Sequence, residues 1–155
     1  MTDPESAPRL KPAELLAAYA QAIYRVDTEP EPIFLQVGEK SPALERWLAA
    51  RGARRFAFVS AANPGSRPLP DAENQRRHQQ LAERVSRISL PAIGGESYEA
   101  TSGGWREASL LVCGVDRETA VALARDFGQV ALLYGEIGGP VELVLATDPR
   151  EENRR

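Results

Sequence analysis

Apolar and polar positions along the chain fall into two periods. Short runs of β-branched, aromatic and aliphatic residues at 21–27, 33–37, 55–60, 105–114, 129–134 and 141–146, bounded by Gly, Pro, Asp or Asn, predict strands. A further short strand or extended piece is expected from Leu90 to about Ser97. Arg55–Ser60 has apolar residues on both faces toward its end, which predicts a central strand. The helical period shows elsewhere. Leu44, Trp47 and Leu48 share one face after a Ser41-Pro42 start, with Ser41 as cap, Pro42 at the first helical position and Gly52 as the stop. Asp71–Ile88 is the longest predicted helix, and Asp116 caps another that runs to about Asp126 before Gly128. An Ala/Leu-rich stretch from Pro12 to about Tyr19 predicts a short helix.

The links complete the picture. Thr28–Pro32 reads as the turn of a hairpin, Gly135–Pro140 as a second hairpin turn, and Tyr98–Gly104 as a Gly/Ser/Thr loop. Residues 1–11 are expected to be a flexible arm, 12–146 a single α/β domain and 147–155 a disordered charged tail. The order (α)ββαβαββαββ is not a regular βαβ alternation. It predicts an α+β (mixed α/β) fold: one mostly antiparallel or mixed sheet of about 5–7 strands with three main helices packed on it. No Gly-x-Gly-x-x-Gly follows a strand and no phosphate-binding loop is present.

Composition narrows the chemistry. With 155 residues, 43% hydrophobic and 26% charged, the chain is long enough to bury a core without disulfides or metal. A net charge of −3 gives no push toward nucleic acid or an anionic membrane. Lys11 and Lys40 are the only lysines among 19 basic residues, leaving 17 arginines. That skew reads as codon bias, or as Arg-based recognition of carboxylate or phosphate. Cys113 lies within an apolar run and is expected to be a buried strand thiol. The N-terminus lacks the basic start and apolar stretch of a signal peptide, and no apolar run is long enough to span a membrane, so the expected location is the cytoplasm.

The most informative stretch runs from Ser60 through Asn63, Ser66 and Arg67 to Glu73 and Asn74. It leaves the end of the predicted central strand and enters a helix, a place where open α/β sheets bind ligands. Arg67 suits an anion and the prolines stiffen the loop. The competing reading is a well-made loop-to-helix transition, with Asp71 as N-cap and Asn74 closing a capping box. Positions 74, 78, 81, 85 and 88 form the inward stripe of the helix, polar at Asn74 and His78 and apolar at Leu81, Val85 and Ile88. His78 alone reads as a satisfied or half-exposed side chain, and no metal-ligand spacing exists. Trp105, Glu107 and Ser109 share one strand face. Glu107, at the mouth of a buried strand, either pairs with Arg67 or Arg106 or serves as a general acid or base. Gln129 opens the next strand and adds an amide.

These segments together resemble a family of small bacterial proteins known as domain of unknown function 3293. The resemblance rests on Val37-Gly38, Ser41-Pro42-Ala43-Leu44, Phe58-Val-Ser60-Ala61, Asn63-Pro64, Ser66, Glu73-Asn74, Leu81, Trp105, Glu107, Ser109-Leu-Leu-Val, Phe127-Gly128-Gln129, Ala131 and Tyr134, and covers roughly residues 18 to 135. Val130 and His78 depart from the family pattern, which has Asn and Gln there. The resemblance implies no activity. It implies that Asn63, Glu73-Asn74, Glu107 and Gln129 form one spatial cluster.

Three functions remain open from sequence. The first is a site for a small polar or anionic ligand, with Asn63, Ser66, Arg67, Asn74, Trp105 and Gln129 binding it, Glu107 or Glu73 as the candidates for acid/base chemistry, no metal and no cofactor, and Tyr98–Gly104 as a lid. The second is a protein-interaction module or accessory subunit, including a homodimer. The third, nucleic-acid binding through Arg51, Arg54, Arg55, Arg76, Arg77, Arg84 and Arg87, is disfavoured by the acidic balance.

Overall fold

The computed structural model describes residues 12–100 and 105–146. The predicted N-terminal arm, the charged tail and residues 101–104 of the predicted lid lie outside the described residues. Seven strands form one sheet: β1 (Ile23–Val26), β2 (Ile33–Leu35), β3 (Arg55–Ser60), β4 (Ala92–Tyr98), β5 (Arg106–Cys113), β6 (Ala131–Glu136) and β7 (Glu142–Leu145). Their order is β2-β1-β4-β5-β3-β6-β7, and every neighbouring pair is antiparallel. Four helices accompany it: α1 (Pro12–Gln21), α2 (Pro42–Ala50), α3 (Asp71–Arg87) and α4 (Arg117–Asp126). The α+β expectation holds.

Alternation along the inner strands sends successive side chains to opposite faces. Ala57, Val59, Leu110, Val112, Leu132 and Tyr134 pack against Leu81 and Val85 of α3 and Ala120, Leu123 and Ala124 of α4. Phe56, Phe58, Leu111, Cys113 and Leu133 pack on the other face with Leu44 and Leu48 of α2 and with Tyr24 and Val26. Both faces of β3, β5 and β6 are therefore buried, unlike the one-sided burial common in antiparallel sheets. Leu81 is fully buried, so truncating it to Ala would cost about 2–5 kcal/mol.

The helix ends follow local chemistry. Ser41 caps α2 by accepting from the Leu44 backbone N–H at 3.3 Å, and Asp116 caps α4 by accepting from Thr119 N–H at 2.7 Å. Four expectations are corrected. The middle strand is β5, not Arg55–Ser60; β3 lies one place over, because the β4–β5 hairpin inserts between it and β1. Gly135 belongs to β6 rather than to the hairpin turn: a Cβ there would meet the Phe56 ring at 2.6 Å, so the glycine makes room for an aromatic lid. Ile88, placed on the inward stripe, is 43% exposed because α3 ends at Arg87. Asp71 is the first residue of α3 and makes no side-chain cap; Pro70 holds the cap position.

Candidate functional site

Beyond β3 the chain turns sharply. Asn63 (φ 49, ψ 61), Gly65 (φ 66) and Ser66 (φ 60) all occupy the left-handed region around a 3-10 turn at Pro64–Ser66. Asn tolerates that region better than most side chains. Its amide holds the turn. Asn63 Oδ1 accepts from Leu69 N–H at 2.9 Å and from Asn74 Nδ2 at 2.8 Å. Asn63 N–H donates to Asn74 Oδ1 at 3.0 Å. Asn74 thus serves the loop rather than the predicted capping box. Pro70 at the cap position has no N–H for the Asn74 side chain to accept from, and that side chain bonds Asn63 instead.

A second clamp joins this loop to the end of α4. Arg77 Nε donates to Ala61 O at 2.6 Å, and its Nη2 donates to Phe127 O. Gln129 Nε2 donates to Ala62 O at 2.9 Å and to Phe127 O at 3.2 Å. Gly65 N–H donates to Gly128 O at 2.8 Å. Gly128 (φ 70) must be glycine, since a Cβ would meet Pro64 Cβ at 2.7 Å.

On the α2 side of the sheet, next to these clamps, lies a slot at the start of β5. Tyr19, Tyr24, Ser60, Trp105, Glu107 and Gln129 line it over an apolar floor that includes Phe58 and Leu133. The cavity measures ≈ 30 Å³, room for roughly two waters. Asn63 Nδ2 donates to Glu107 Oε2 at 3.2 Å, the link between clamp and slot. Glu107 Oε1 accepts no hydrogen bond among the described residues and, unlike His78 Nδ1, is not sealed from solvent. Burial pushes the Glu107 carboxyl up to about 7, against a smaller lowering by the Asn63 hydrogen bond. Burial also raises the hydroxyls of Tyr19 and Tyr24, with the nearby Glu107 adding to both. Tyr24 donates to Tyr19 O at the end of α1, the Tyr19 and Ser66 hydroxyls bond each other, and the Tyr19 and Trp105 rings meet edge to face at 6.4 Å.

Asn63, Ser66, Asn74, Trp105, Glu107 and Gln129 therefore come together, as expected from sequence. Arg67 and Glu73 do not join them. Arg67 is exposed, and Glu73 is half-buried away from the slot lining. The expected Glu107 ion pair is absent among the described residues: Arg106 points to the opposite sheet face and pairs with Glu96, as neighbours along a strand must diverge. His78 Nδ1 is sealed without a partner, and burial lowers the imidazole. Cys113 is buried, and burial raises its thiol. Of the arginines considered for nucleic acid, Arg77 is spent on the clamp, Arg84 pairs with Asp126 at 2.7 Å and Arg51 lies over the Trp47 ring at 3.8 Å. No group of three or more His, Cys, Asp or Glu among the described residues is arranged to hold a metal ion, and no helix among them is long and apolar enough to cross a membrane.

Sequence reading missed Tyr19, Tyr24 and Arg77 as members of this region. Arg77 had a signal, since it stands at i+3 from Asn74 beside the inward stripe. Tyr19, near the end of α1, reaches the slot through Ser66 and Trp105, and Tyr24 reaches it from β1, two strands from β5; no local pattern encodes either approach.

Comparison with known proteins gives one match. Neither a curated protein nor a solved structure matches the chain. The family model described as protein of unknown function (DUF3293) matches residues 59–132, which run from the last two residues of β3 through the turn, α3, β4, β5 and α4 to the start of β6. That segment, which holds Asn63, Asn74, Glu107 and Gln129, is similar to the DUF3293 family.

Proposed function

We propose that the protein binds a small polar ligand in the slot at the start of β5, with Glu107 as the group that recognises it. One observation carries the reading: a carboxyl enclosed in a lined cavity, with Asn63 as its single described protein partner. An enclosed carboxylate without a counter-charge is costly. A chain selected only for stability would be better served by Gln or an apolar residue at this position. Perturbed carboxyls in cavities are enriched at functional sites. The near-neutral titration of Glu107 also suits a group that gives and takes a proton, so acid/base chemistry on the bound ligand is compatible with the same site.

Among the described residues the slot has no cation in its lining, so the anionic ligand expected from Arg67 loses its support. The site favours a ligand that donates hydrogen bonds. Glu107→Gln separates site from scaffold. A thermal-shift screen of metabolites should yield compounds that stabilise the wild type and not the variant. A screen with no hit, or hits that stabilise both equally, would overturn the reading.

A second reading has its own observation. Both edge strands carry an exposed apolar side chain, Phe34 (55% exposed) on β2 and Leu145 (41%) on β7. Free edges recruit partner strands, so association with a second copy or another protein is the alternative. Light scattering after size-exclusion chromatography tests the self-association: a monomer across the concentration range removes it. For location we propose the cytoplasm, which suits an unpaired buried thiol at Cys113.

A further inference from the structure

We propose that the slot takes a primary ammonium group, with Glu107 Oε1 and Gln129 Oε1 accepting its hydrogen bonds and the Tyr19 and Trp105 rings forming its wall. The inference rests on the reading of the slot as a ligand site and names the chemistry of that ligand.

The donor and acceptor inventory leads there. Gln129 directs both Nε2 hydrogens at carbonyls, Ala62 O at 2.9 Å and Phe127 O at 3.2 Å. Carbonyls cannot donate, so the amide orientation is settled and Oε1 is left as an acceptor. The Ser60 hydroxyl is used twice, donating to Ala108 O at 2.9 Å and accepting from Ala62 N–H at 3.0 Å. Ser97 bonds Ser109 at 3.1 Å, and Tyr24 bonds Tyr19 O. Two side-chain oxygens of the lining thus remain without a partner among the described residues, and both only accept. Trp105 Nε1–H is unpaired among the described residues, and one indole donor beside a carboxylate does not make an anion site.

Charge and size narrow the class. Among the described residues no Lys, Arg or His lines the slot, so a cation supplies the counter-charge of Glu107. A cavity of ≈ 30 Å³ admits a head group no larger than about two waters. An ammonium head fits it, whereas tetramethylammonium, with four methyls around the nitrogen, is too broad. Aromatic walls add cation–π attraction. The remainder of the ligand stays at the mouth. The ammonium needs the carboxylate, and Glu107 titrates near 7. Binding therefore releases a proton below that pH, and affinity falls by about tenfold per pH unit there.

The test is an NMR titration of the full chain, following the Glu107 carboxyl carbon and the Gln129 side-chain amide. The probes are n-butylammonium, butyramide, butyrate and tetramethylammonium at roughly 20 mM, a range suited to such small ligands. At about pH 8 butylammonium should shift both signals, and the other three should not. The effect should vanish in Glu107→Gln and weaken at least tenfold at about pH 5.5. The wild-type pH dependence decides the matter if that variant fails to fold. Butyramide or butyrate acting on Glu107 while butylammonium is silent would overturn the ammonium assignment and leave the ligand site standing. Tetramethylammonium binding as well as butylammonium would overturn the size argument and with it the assignment. Silence from every probe would overturn both the assignment and the site.

Discussion

Two polar regions touch at Asn63, and they are built on opposite principles. In the clamp formed by Asn63, Asn74, Arg77 and Gln129, amide and guanidinium donors meet carbonyl oxygens or each other at hydrogen-bonding distance. In the slot a few ångströms away, Glu107 keeps one oxygen without a described partner and carries no counter-charge. The first arrangement lowers the energy of the fold, and the second raises it. A satisfied buried network reads as scaffold, and a carboxyl left open to a cavity without a counter-charge reads as a place kept ready for something else. The contrast also shows why membership of a polar cluster does not assign a role: Asn74 and Glu107 were indistinguishable as site candidates until their partners were counted.

Breaking the clamp should have the largest effect. Asn63→Ala strips hydrogen bonds from Leu69 N–H, Asn74 Nδ2 and Glu107 Oε2 and puts a less tolerant residue at φ 49; the expected cost is about 4 kcal/mol. Asn63→Gly keeps the backbone freedom and should recover about 1 kcal/mol of it. Urea unfolding midpoints measure both, and equal midpoints for Ala and Gly would remove the left-handed term.

Glu107→Gln should act in the opposite direction. Folding raises the carboxyl from an ordinary 4.5 to about 7, so the unfolded chain ionises first as pH rises. Stability contributed by Glu107 is full below about 4.5, declines between 4.5 and 7, and stays low above. At roughly 1.4 kcal/mol per pH unit the variant should gain about 3 kcal/mol over wild type at about pH 8 and nothing below pH 4.5. A flat difference across that window, read from unfolding curves at several pH values, would mean that Glu107 is not strained by burial and that the two regions do not differ in kind.

Asn74→Asp is a finer probe. It retains the acceptor for Asn63 N–H and loses the donor to Asn63 Oδ1, at a cost of about 2 kcal/mol. The smallest effect belongs to Arg67→Ala. The side chain is exposed and outside both regions, so stability should change by less than about 0.5 kcal/mol and the NMR titration of Glu107 should be unaltered. A shift in that titration would bring Arg67 back into the site.

Much of this was legible before any coordinates. The runs Phe56–Val59 and Leu110–Cys113 announce two-sided burial, and Ser41-Pro42 and Asp116 announce helix starts whose caps are present. The gathering of Asn63, Asn74, Glu107 and Gln129 was legible through the family resemblance. Less legible were glycines such as Gly135, where a strand leaves room for Phe56 and the residue type alone suggests a turn. Arg77 was overlooked for a related reason: a charged residue at helical spacing reads as solvated unless the carbonyls it will meet are known.

By itself, the sequence determined the elements, their alternation and the polar character of the head of β5, because those depend on neighbours three or four residues apart or on period two. Only the tertiary structure decided which of these polar groups satisfy each other. That outcome depends on strands β3, β5 and β6 lying side by side and on the end of α1 meeting the turn after β3, contacts between residues some 40 to 70 positions apart, such as Tyr19 with Ser66, Asn63 with Glu107 and Gln129 with Ala62. A hydrogen bond needs its partner within about 3 Å, and no local pattern carries that distance.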